Sequence, residues 1–152
     1  MQNGQFVEIA AAIVLIYIGI EDMLKFKIKN ESVFVLLILY FFAALFTGAP
    51  AAIVSHVAFG LIMFAILLGI YALGWLGGGD AKLLSVAFLW LGFENAPLFA
   101  ILLALAAGAY SVLLQFGYLL PGKPGLKGRT LIPYGPCIAA AWIGTMALRM
   151  SA

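Results

Sequence analysis

The chain has 152 residues, 66% of them hydrophobic and 9% charged, with a formal net charge of +2. A soluble domain carries about 25% charged residues, so the composition excludes a water-soluble fold and is that of an integral membrane protein. So small a charge gives no reason to expect a nucleic-acid partner, and one cysteine, Cys137, excludes an internal disulfide or a cysteine-based zinc site.

The N-terminus, Met1-Gln2-Asn3-Gly4-Gln5, lacks the basic region of a cleaved signal peptide, so the first apolar run is expected to be retained. Apolar runs of about 20 residues cross a bilayer as helices. The sequence predicts six, over residues 6–24, 33–46, 51–76, 81–93, 97–120 and 132–150. Turn chemistry separates several of them, at Gly48-Ala49-Pro50, between Gly92 and Pro97, and from Pro121 to Gly125. The expectation is an all-α bundle of six transmembrane helices forming a single domain over residues 1–152.

Orientation follows from the cations. Lys25, Lys27 and Lys29 fall between the first two spans, Lys82 opens the fourth, and Lys123, Lys127 and Arg129 fall between the last two. Six alternating spans put these on one side and leave Arg149 on the other. The positive-inside rule then places the basic segments in the cytoplasm and both termini outside. Glu8 and Glu94 fall to the outer side; Glu21, Asp22, Glu31 and Asp80 fall to the inner one. Two complete spans separate Asp22 from Asp80, so the two share a leaflet. The fourth span covers roughly 20 Å at the helical rise, short of a ~30 Å core; a start below the surface, a locally thinned bilayer or a tilted neighbour would each account for it.

The stretch Gly77-Gly78-Gly79-Asp80-Ala81-Lys82-Leu83 interrupts the apolar pattern. Glycines cost a helix on the order of 1 kcal/mol each, and an acid inside a bilayer-type sequence is a functional candidate. Two carboxylates within a few ångströms cannot both ionise comfortably, so they share a proton. Such a pair activates water and polarises a carbonyl, as in aspartic proteases, without metal or cofactor. Activity is then expected within a window bounded by two apparent pKa values. On residue types alone other readings stay open. Asp80 is a good N-cap, and Asp22 has Lys25 within helical pairing distance. A proton- or ion-coupled transporter would use the acids as a relay, with Ser111 and Gln115 among the few polar groups inside other spans. A non-catalytic pilus or secretion assembly protein would use the glycines for packing.

The stretch Gly77–Leu83 resembles the GxGDxKL signature of the type IV prepilin peptidases, membrane aspartic proteases. Asp22, followed by Lys25, Lys27, Ile28 and Asn30, is similar to a second family segment, with Lys29 where the family usually has proline. Ile132-Pro133-Tyr134-Gly135-Pro136 resembles a third. The resemblance implies that Asp22 and Asp80 are the catalytic pair, in an endopeptidase of the bacterial inner membrane. It also implies prepilins as substrates, their basic leader being removed at the cytoplasmic face. No N-terminal methylation domain is seen, so the short form of tight-adherence (Flp-type) pilus systems is expected, cleaving without methylation.

Supporting roles are assigned to Gly77 and Gly79, for close approach of a substrate or partner helix. Lys82 is either a supporting residue or a snorkelling lysine; Tyr134 either orients a carbonyl or anchors at the interface. Glu21, Glu31 or lipid head groups are candidates to receive a basic leader. His56 is expected to be structural, Cys137 a packing residue, and Gly60, Gly69, Gly108 and Gly144 sites of close helix contact.

Overall fold

A computed structural model describes residues 2–47, 50–116, 123–124, 130–131 and 133–151. Five helices make the fold: α1 (Gln2–Lys25), α2 (Asn30–Thr47), α3 (Pro50–Ala72), α4 (Gly78–Gln115) and α5 (Gly135–Ser151). A short antiparallel pair, β1 (Lys123–Pro124) with β2 (Thr130–Leu131), lies between α4 and α5 and was not anticipated. By length and composition, Ala52–Ala72 and Gly78–Gln115 are apolar enough to cross a membrane.

The expected fourth and fifth spans are joined in α4, where the break is one residue wide. Gly92 takes φ 67° and ψ 178°, a conformation that favours glycine. Phe88 and Phe99 would stand about 16 Å apart along a straight helix, yet their ring centroids are 5.4 Å apart. The chain therefore folds back at Gly92. Asn95 Nδ2 donates to the Leu91 carbonyl at 2.9 Å, satisfying an acceptor at the end of the first limb. Glu94-Asn95-Ala96-Pro97, expected in the turn, is already helical in the second limb.

The helix α3 ends at Ala72, four residues before the predicted limit. Gly74 sits at φ 75°, with its N–H on the Tyr71 carbonyl and the Trp75 N–H on that of Ile70. This is the glycine-terminated Schellman closure. The helix begins at Pro50, whose missing N–H costs nothing in a first turn. Residues 48–49 and 117–122 lie outside the described residues, so the predicted turn at Gly48 and the reach of the fifth span to 120 are not described.

Contacts fix the directions of the segments. Asp22 of α1 meets Gly135 of α5, and Glu8 pairs with Arg149 at the far ends, so α1 and α5 are antiparallel. Lys82 meets Asn30 and Trp90 meets Leu36, so α2 runs parallel to the first limb of α4. Tyr71 lies against Gly78 and His56 against Gly92, so α3 runs opposite to that limb. Leu15, Leu36, Leu83, Phe99 and Trp142 are fully buried between the elements. The outside is equally apolar: Phe6, Leu45, Leu61 and Leu105 are all well exposed, a surface suited to lipid. Of the glycines expected at helix contacts, Gly60 and Gly144 fit, facing Leu89 and Leu102. Gly69 and Gly108 do not, since among the described residues no atom lies near the place a Cβ would occupy.

Candidate active site

Asp22 stands in the last turn of α1 and is 5% exposed. Its partner is not Lys25, the helical pairing considered from sequence. Lys25 bonds to Glu21 one turn earlier, and Asp22 Oδ2 accepts the backbone N–H of Gly135 at 2.9 Å. Gly135 is the first residue of α5, where amide hydrogens lack helical acceptors and attract negative charge. A Cβ at Gly135 would fall 2.8 Å from Asp22 Cβ and Oδ2. Only glycine lets the start of α5 come so near the acid.

Asp80 comes from the other half of the chain. It is not the N-cap of α4: Gly77 holds that position, without a side-chain cap, and Asp80 lies in the first turn. Each glycine before it is closely approached by a neighbour. A Cβ on Gly77 would lie 2.7 Å from Asp80 Oδ2, one on Gly78 3.1 Å from the Tyr71 ring, and one on Gly79 3.1 Å from Ile28 Cβ. The run of glycines thus lets α3 and the α1–α2 loop close onto the start of α4. Among the described residues, the Asp80 carboxylate has no hydrogen-bond partner.

Asp22 and Asp80 line one cleft of about 420 Å³, with Phe26, Lys27, Ile28, Asn30, Gly77, Gly78, Gly79, Lys82 and Pro133. Gly77, Gly79 and Lys82 thus sit at the cleft, and Lys82 Nζ donates to Asn30 Oδ1 at 3.0 Å. Tyr134 does not line it and is 38% exposed. The segment anticipated through Tyr134 instead contributes Pro133 and the Gly135 amide. That amide was missed because backbone donors leave no mark in a side-chain reading; the one hint was two prolines flanking a glycine.

Glu21 is 4% exposed and already occupied. One oxygen, Oε1, lies 2.9 Å from Lys25 Nζ and 2.8 Å from Lys29 Nζ, which removes it as a receptor for a basic leader. The carboxylate holds the Lys29 ammonium above the usual lysine range through that hydrogen bond. Glu31 is exposed. At the opposite end, His56 Nδ1 bonds to the Leu89 carbonyl at 3.1 Å and its ring stacks on Tyr40, so it packs rather than reacts. Cys137 is buried with its thiol toward the Ala106 carbonyl.

Comparison with known proteins bears on the family. No curated protein and no solved structure matches the chain. A model of the type IV leader peptidase family matches residues 9–112, more than half the chain and inclusive of both aspartates. The chain is a member of the type IV leader peptidase family.

Proposed function

We propose that this protein is an aspartic endopeptidase that removes the leader of prepilins or prepilin-like proteins, with Asp22 and Asp80 as the catalytic pair. The observation that carries the reading is the shared cleft, which brings together two acids remote in sequence. Asp22, with an amide donor on Oδ2, is suited to act as the carboxylate that takes a proton from water. Asp80 carries the proton that polarises the scissile carbonyl. The hydroxide adds to the carbonyl carbon. Collapse of the tetrahedral intermediate breaks the C–N bond, and a proton passes to the leaving amine.

The cleft end also carries Lys25, Lys27, Lys29 and Lys82, whereas Arg149 lies at the other end. On the positive-inside rule this favours a cytoplasmic cleft and external termini. The two limbs of α4 with α1, α2, α3 and α5 supply the six spans. Flp-type prepilins are the first substrates to try, in the bacterial inner membrane. A transporter relay is less well supported. Ser85, Ser111 and Thr145 each spend their hydroxyls on carbonyls of their own helices, so these three donate no proton toward the acids.

The test is coexpression with a prepilin in membranes. Asp22→Asn and Asp80→Asn should each leave the leader uncut while the protein accumulates normally. Cleavage by either variant refutes the paired mechanism. Wild-type cleavage should fall off on both sides of a pH optimum, and a plateau into alkali would point to another base.

A further inference from the structure

The α1–α2 loop forms one wall of the cleft, and its path is held at three places. Phe26 leaves α1 at φ 54°, a left-handed conformation that a bulky residue keeps only when its surroundings impose it. Beyond it, Ile28 packs on Gly79, the residue before Asp80. Asn30 takes the Lys82 ammonium, and Lys29 reaches back 2.8 Å to Glu21. Glu21 directly precedes Asp22, and Ile28 directly precedes Lys29. The ion pair therefore joins the segment carrying one acid to the loop that abuts the other.

We infer that Glu21 is a positioning residue, acting through Lys29 to hold the 26–30 loop so that Asp80 is set against Asp22. This rests on the peptidase reading above. Lys25 provides an internal control. It binds the same oxygen of Glu21, but from within α1, so it cannot restrain the loop. Cations that served only to neutralise Glu21 would be interchangeable, and loss of either lysine would have the same effect.

The experiment uses the purified full chain in detergent with a purified Flp-type prepilin. Lys29→Met and Glu21→Gln should lower kcat about tenfold, as small misplacement of reacting groups does, with KM changed less than threefold. Lys29→Arg should restore the rate, and Lys25→Met should stay within about twofold of wild type. A nitroxide at position 27, in a Cys137→Ser background, should gain mobility with Lys29→Met and not with Lys25→Met. Equal effects of the two lysine variants would overturn the inference, as would a loss confined to KM. Asp80→Asn in the same assay separates the two levels. If it still cleaves, the paired-aspartate reading fails, and the nitroxide alone decides whether the clamp exists.

Discussion

The two ends of the bundle treat their polar groups differently. At the far end His56 is bonded to the Leu89 carbonyl, Trp90 Nε1 to the Leu36 carbonyl at 3.0 Å, and Glu8 to Arg149. Tyr40 packs between the rings of His56 and Trp90. These groups have fixed partners, and His56 and Trp90 have theirs within the packed interior, which is how a fold satisfies polar atoms in apolar surroundings. At the cleft end the surrounding groups are equally fixed, but Asp80 has no partner among the described residues. A carboxylate kept unpaired beside another acid stabilises nothing by itself. The contrast is the one that the proposed function predicts, with architecture at the far end and chemistry at the cleft.

Substitutions at the two ends should therefore change different measurements. The largest expected effect is Asp80→Asn, which should reduce turnover by on the order of 10⁴-fold, as loss of a central catalytic group does. Its melting temperature in detergent should hardly move. Gly135→Ala comes next. The new methyl would displace Asp22 from the start of α5, and turnover should fall about 100-fold, with a stability loss of about 1–3 kcal/mol from overpacking. Loss of stability without loss of turnover per folded molecule would show that the amide contact is merely structural.

At the far end the signs reverse. Gly92→Ala must place a side chain at φ 67°, with its Cβ 2.6 Å from His56 Nε2. It should destabilise by about 1–3 kcal/mol, read as a lower melting temperature, while the folded fraction keeps its rate. His56→Ala should cost less, about 1–2 kcal/mol for an abandoned carbonyl, again at constant rate. A drop in rate with either variant, at unchanged stability, would break the division between the ends.

Much of this division was legible in the sequence. Helices announce themselves by apolar length, and counting spans from the lysines placed Asp22 and Asp80 at one end before any contact was known. Gly77-Gly78-Gly79-Asp80 marked the cleft because glycine next to an acid is costly in a helix without a use. What escaped depends on neighbours remote in sequence. The stop at Gly74 needed its left-handed turn to be distinguished from the apolar residues continuing to Leu76. The fold-back needed one residue at Gly92, where the sequence advertised a turn through Pro97. Lys25 and Lys29 looked like orientation signals, and their common attachment to Glu21 required the loop to reverse. The Gly135 amide was invisible because it belongs to the backbone.

The central claim is that Asp22 and Asp80 act as one catalytic unit, and a double-mutant cycle on prepilin cleavage tests it most directly. Groups that act together lose their joint contribution when either is removed. Asp22→Asn, Asp80→Asn and the double variant should therefore share the same residual rate within a few-fold. A double variant slower than each single by a further large factor, or a single variant that still cuts the leader, would contradict the account.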